Sequence, residues 1–244
     1  MSNKKGVINL KDKYSAKLNS LYKETKAELG KAKKLSAKSD TKDFERINTF
    51  LKILEPGFAF EEEIKTETVI WAGLGCAYNL KNQKQAKNGE EESIKDDNVL
   101  FIDDNHKKEF PYYIAIGKFF KGVGIKPEDY STLDLTCLRE TKEIIIKDLL
   151  KYDPFKSFFD ENVSRFIDIL KLAKPKMVII GNAFVSNKVE TPLKLEFNDE
   201  KHCWFSNEED LEGIIFFRTT MLSGGCMDKG SRQLLMSVVR ANLG

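Results

Sequence analysis

Four short, nearly unbroken apolar runs limit what this chain can fold into. They are TETVIWAGLG at 66–75, LDLTCL at 133–138, MVIIGNA at 177–183 and GIIFFRTTM at 213–221. A strand that is apolar at successive positions is buried on both faces, the pattern of a parallel sheet rather than of a half-wet antiparallel one. Helical periodicity lies around and between the runs. Residues 43–54 place Phe44, Ile47, Phe50, Leu51 and Leu54 on one side and stop at Pro56-Gly57. An aromatic-rich helix is predicted over 110–120, closing at Gly122-Val123-Gly124. Another is predicted over 160–173, with Val163, Phe166, Ile167 and Leu170 inward and Pro175 past its end. SRQLLMSVVRANL reads as a last helix capped by Ser231, with Leu234, Leu235 and Val238 facing inward. Residues 202–206 read as an edge strand. Strands alternating with helices predict an α/β fold: three layers, α/β/α, around a central, mostly parallel, four-stranded sheet.

The 244 residues suit one such domain over 43–244, preceded by a Lys-rich extension over 1–42 that is helical or partly mobile. With 41% hydrophobic and 32% charged residues, and only 15 Gly and 6 Pro, the chain is not collagenous, low-complexity or wholly disordered. No apolar run approaches the roughly 20 residues of a membrane helix. The start, MSNKKGVINLKDK, carries charges where a secretory signal needs an apolar core. A cytoplasmic protein with no membrane partner is the expectation.

The formal charge of +2 hides an asymmetry, because residues 1–42 hold 12 Lys and 4 acids, a local charge of +8. The remainder is therefore at −6. Two readings of the basic segment stand: an arm that grips phosphate, or a solvated helix. For the helix, Leu18, Leu21, Tyr22, Ala27 and Leu29 supply a ragged apolar stripe over 12–30.

The usual catalytic signatures are missing. Cys76, Cys137, Cys203 and Cys226 form no CxxC pair, so four reduced thiols are expected. There is no GxxxxGK[ST], HExxH or GxSxG, and the GxG at Gly73–Gly75 lacks the rest of a dinucleotide fingerprint. Neither His106 nor His202 adjoins a nucleophile in a known motif, and His202 reads as an edge-strand residue. Asp103 and Asp104 beside His106 read as part of a solvated loop within a long polar excursion, residues 81–109. No metal and no organic cofactor is called for.

In a parallel sheet the ligand lies beyond the carboxyl ends of the strands. Four loops qualify: Gly73–Asn79, Thr136–Glu140, Gly181-Asn182-Ala183 and Arg218–Gly225. The last continues into TTMLSGGCMDKGSRQLL. There Thr219, Thr220, Ser223 and Ser231 offer hydroxyls, and Lys229 and Arg232 stand at the start of the helix. Helix amides beside basic side chains bind phosphate oxygens, and Met221 and Leu222 suit a wedge into a base stack. A plain capped helix with two core side chains before it explains the same residues equally well.

Taken in order, VIWAGLGCAYN, LDLTCLRE, KPKMVIIGNAFVSN and FFRTTMLSGGCMDKGSRQLL resemble the uracil-DNA glycosylase superfamily over roughly residues 66–243. The last two are similar to segments of bacterial glycosylase-like proteins, above all LSG followed by a D-x-G-S-R helix start. The resemblance implies base flipping in single- or double-stranded DNA, with the base stacked on an aromatic ring and read along its Watson–Crick edge. Water held by the first loop then attacks the sugar carbon, and a residue of the last loop steadies the departing base. Carried over, Tyr78 is the stacking ring, with Arg139 and Asn182 as base contacts. Asn79, Thr220 and Ser223 are the catalytic candidates, while Met221, Leu222, Lys229, Ser231 and Arg232 meet DNA. Where the family has Asp or Asn and then Pro after the opening glycine, this chain has Gly75 and Cys76. Where it has a His-Pro-Ser type motif, this chain has Thr-Met-Leu-Ser. Asn79 stands in for the water-orienting group, with Asp134 and Asp228 as alternatives. A non-cleaving module of the same fold that binds nucleic acid or a base is the competing reading.

Overall fold

The computed structural model describes residues 6–36, 42–75, 99–139, 142–222 and 227–243. β1 (Val7–Asn9) leads into α1 (Leu10–Ser36), followed by α2 (Lys42–Leu54), β2 (Phe58–Glu61), β3 (Glu63–Lys65) and β4 (Val69–Gly75). Next come β5 (Val99–Ile102), α3 (Asp104–Glu109), α4 (Pro111–Val123), β6 (Tyr130–Thr136), α5 (Glu143–Leu149) and α6 (Asp153–Ala173). β7 (Met177–Ile180), α7 (Ala183–Val189), β8 (Leu195–Asn198), β9 (Cys203–Ser206), β10 (Ile215–Arg218) and α8 (Lys229–Ala241) complete the order.

The four apolar runs lie side by side and parallel, in the order β6-β4-β7-β10. The α/β class and the mostly parallel sheet therefore hold. The sheet has six strands rather than four, because β9 and β8 continue it antiparallel beyond β10. Residues 203–206 thus form an inner strand, and β8 is the edge. Leu195, Glu196, Phe197 and Asn198 of β8 alternate apolar and polar, but the strand is only four residues long and its Phe197 is left 46% exposed. His202 is not in a strand. It occupies an exposed turn between β8 and β9 at φ 51°.

Helices cover both faces. On one, Ile70, Ala72, Leu133, Leu135, Val178 and Phe216 pack with α1, α2, α6 and α7. On the other, Val69, Trp71, Met177, Ile179 and Phe217 meet Ile116, Phe119 and Phe120 of α4 and Val239 of α8. The helix α4 ends at Gly124, whose φ of 86° is the left-handed stop that glycine adopts without strain. The helix α6 starts seven residues before its predicted bound, with Pro154 in its first turn.

Most of the Lys-rich segment is one helix of 27 residues. Leu10, Tyr14, Leu18, Tyr22 and Leu29 recur near multiples of four and are buried in the same core as the sheet. The Tyr22 hydroxyl donates to the Leu54 carbonyl at 3.1 Å, and β1 pairs with β3 to tie down the helix start. Among the described residues, no helix is long and apolar enough to cross a membrane.

The last helix departs from expectation at both its cap and its buried face. Asp228, not Ser231, is the N-cap: its carboxylate accepts from the Ser231 amide at 2.9 Å and from the Ser231 hydroxyl. Leu234 is 67% exposed, while Val239 is buried and Leu235, Met236 and Val238 are half-buried. Leu235 and Val238 thus pack inward as expected, and the face extends to Met236 and Val239 in place of Leu234.

Candidate active site at the carboxyl ends of the strands

Parallel order puts the ends of β6, β4, β7 and β10 on one edge, so the four candidate loops leave the sheet together. Asn79, Tyr78 and Ser223 lie outside the described residues, as do Cys76 and Cys226. Asn182 is buried and caps α7, its Oδ1 accepting from the Val185 amide at 3.0 Å. Arg139 follows β6 directly and is buried, its guanidinium nitrogens shielded from solvent. The turn that carries it is fixed from below. Asn162 Oδ1 accepts from the Cys137 amide at 3.1 Å and from Arg165 at 2.7 Å, and Asn162 Nδ2 donates to the Phe158 carbonyl.

After β10, the Thr219 amide donates to the Ile180 carbonyl at 2.9 Å. Thr220 and Met221 are exposed beyond it, and Leu222 packs partly on the second-face core. Lys229 and Ser231 are exposed and Arg232 is half-buried. The anion site expected at this helix start already holds a carboxylate, because Asp228 occupies the Ser231 amide. Those two hydrogen bonds hold the Asp228 carboxyl below the usual carboxylate range. Asp228 is thus a helix cap, its contacts being with the first turn of that helix.

Asp134 is placed differently. Counting along β6, Thr132, Asp134 and Thr136 share the second face of the sheet, and Asp134 stands in register with Gly73 of β4. A Cβ on Gly73 would lie 2.2 Å from Asp134 Oδ1 and 2.2 Å from the Tyr112 hydroxyl. Glycine at 73 is therefore what lets the carboxyl and the phenol meet over the strand, and Tyr112 hydrogen-bonds Asp134 there. At the end of β7, Gly181 gives similar room to the Trp71 indole, whose Cζ2 would be 2.2 Å from an added Cβ.

A second carboxyl joins Asp134. The chain after β6 meets β2 through the Phe58–Leu138 bridge and the Ala59 amide, which donates to the Cys137 carbonyl at 2.9 Å. This pairing brings Glu61 up to Asp134, and the two buried carboxyls interact directly. Burial first, then the charge of Glu61, pushes the Asp134 carboxyl well above the usual carboxylate range; Lys107 and Tyr112 pull it part of the way back. Glu61 is raised less, since Lys107, its own amide, the Asp134 amide and Arg165 all oppose the cost of burial. The two carboxyls titrate as a pair, and burial beside each other pushes both towards the protonated form.

Glu61 Oε1, Asp134 Oδ2, Thr132 Oγ1, Thr136 Oγ1 and the Trp71 indole nitrogen are buried with no partner among the described residues. Such groups cost about 1–3 kcal/mol each when left unpaired, so their concentration along one seam marks a place built for polar contacts. The site is thus a carboxyl pair with a tyrosine and a lysine, beside a strand end stripped of side chains. Such a pair suits acid–base chemistry; among the described residues no group of three His, Cys, Asp or Glu side chains is placed to hold an ion.

Glu61, Tyr112 and Lys107 are not apparent as site residues in the sequence. Glu61 ends the run FAF without a break, and Tyr112 is one of many aromatics in an aromatic-rich helix. One signal was there: an acid directly continuing an apolar strand is costly to bury without a purpose. No family model matches the chain, and no curated protein matches it significantly.

Proposed function

We propose that this protein hydrolyses the N-glycosidic bond of a damaged or modified base flipped out of DNA. In this reading the arrangement is uracil-DNA glycosylase-like, and Asp134 is the water-orienting carboxylate. One observation carries the reading: Asp134 Oδ1 occupies the space that a side chain on Gly73 would take. The carboxylate that the first loop lacks, having Gly75 and Cys76 in its place, is thus supplied by the neighbouring strand. Water adds to the sugar carbon C1′ as the bond to the base breaks, the bonding pair leaving on the base nitrogen. Ionised Asp134 accepts the proton of the water. Glu61, Tyr112 and Lys107 set how readily Asp134 ionises, and the buried Arg139 stands on the base side.

The test is a single-turnover incubation with labelled single- and double-stranded DNA containing uracil, hypoxanthine, xanthine or alkylated bases, developed with hot alkali. Cleavage at one lesion is expected, with a rate that rises with pH as Asp134 ionises. Asp134→Asn should slow it by about 100-fold or more while DNA binding persists.

A second reading has its own observation. Burial beside Glu61 raises the Asp134 carboxyl, and its protonated form is a hydrogen-bond donor suited to reading a base rather than removing it. On that reading no lesion is cleaved, and affinity for the base falls as pH rises. The same panel, run with a binding measurement at two pH values, separates the two.

A further inference from the structure

Apart from the carboxyl pair, α3, α4 and the first half of β6 enclose a cleft of about 390 Å³. Its lining does not include Asp134 or Glu61. The volume is near the lower end for small-molecule sites, enough for one ring system with a head group. Tyr113, Ile114 and Tyr130 form apolar walls. Thr132 lines the floor, and its buried hydroxyl is one of the groups with no partner among the described residues.

Gly117 lies inside α4 and lines the same cleft. Glycine within a helix costs about 1 kcal/mol relative to alanine. Here it keeps space open, since a Cβ would come within 3.3 Å of the Tyr130 hydroxyl.

The mouth is basic. Lys65 donates to the Pro127 carbonyl at 2.9 Å and Lys108 to Asn105 Oδ1 at 3.2 Å, both neutral acceptors. Lys107 lies 4.0 Å from Asp104. Glu63 is the other acid of the described lining, and Lys107 also acts on the buried Glu61 and Asp134, so Lys65 and Lys108, whose hydrogen-bond acceptors are neutral, are the lysines open to an anion.

We infer that this cleft is a second binding site, for a small anion with one planar ring. The ring lies between the tyrosines, the anionic head meets Lys65 and Lys108, and a polar ring substituent reaches the Thr132 hydroxyl. A nucleoside monophosphate and an aromatic carboxylate share this chemistry. The site stands whether or not the chain cleaves DNA, because its test reads binding alone.

The experiment titrates the full chain with uridine monophosphate and, separately, with benzoate, followed by calorimetry and by amide chemical shifts. Uridine and benzyl alcohol are the neutral counterparts. At least one anion should saturate in the micromolar to millimolar range, with shifts at Gly117, Tyr130 and Thr132, and its neutral counterpart should bind about tenfold more weakly. Which anion binds identifies the head group. Thr132→Val keeps the shape of the side chain and should weaken binding about fivefold to tenfold without loss of fold. Gly117→Val should abolish binding by filling the cleft. Saturation by neither anion at about 10 mM, equal binding of the neutral counterparts, or unchanged affinity in both variants overturns the proposal.

Discussion

At Asp134 the cost of burial can be measured without any substrate. Burial and the charge of Glu61 raise its carboxyl in the folded chain. The native state therefore binds more protons than the unfolded state between the ordinary aspartate value, about 3.9, and the raised native value. Stability accordingly falls as pH rises through that window. Asparagine keeps the shape and cannot ionise. Asp134→Asn should melt higher than the parent at neutral pH, by about 2 °C or more, and the gap should close near pH 4. Thermal melts at both pH values check this, and equal melting at neutral pH would mean that the pair carries no burial penalty. A residue that destabilises the fold yet is retained in a polar seam is behaving as a functional group does. In the sequence, Asp134 was one of three alternatives for the same role. Proximity to Gly73, Tyr112 and Glu61 separates it from Asp228, which caps a helix.

Among the elements, α8 is the most dependent on its ends. It buries only Val239 fully and shows its Leu234 to water. Packing therefore holds it weakly, and the Asp228 cap contributes a larger share of its stability than a cap usually does. Asp228→Ala should destabilise the protein and lower its melting temperature. Amide hydrogen exchange should show the loss concentrated in the first turns of α8, whereas a uniform loss would mean that the helix unfolds only with the whole domain. The existence of this helix was legible from SRQLLMSVVRANL, and of the three residues expected inward Leu235 and Val238 pack on the core while Leu234 does not. Periodicity defines a stripe about 100° wide, and only the partner surface decides where within it the contact falls. β8 shows a related limit: its alternation, Leu195-Glu196-Phe197-Asn198, is only four residues long, too short to be read without the strand it pairs with.

For the whole molecule, the question is whether the Lys-rich start is an appendage or part of the core. Leu18 is fully buried against the sheet-side core, whereas Leu35, on the same helix, is 80% exposed. Leu18→Ala should cost about 2–5 kcal/mol, and Leu35→Ala close to nothing. Urea unfolding of the two variants gives the answer, and equal midpoints would mean that α1 folds apart from the domain. The lysines of α1 alternate with this stripe, so one helix can bury one face while keeping a basic surface on the other. By itself, the amino-acid sequence determined the class of this protein. Four mostly apolar runs, set between amphipathic helices, have few solutions other than a covered parallel sheet, because that burial is local, periodic and encoded residue by residue. The site was decided by tertiary structure alone. Asp134, Gly73, Glu61, Tyr112 and Lys107 come from three strands and two helices, and their chemistry arises only where strand register and helix packing bring them together out of water.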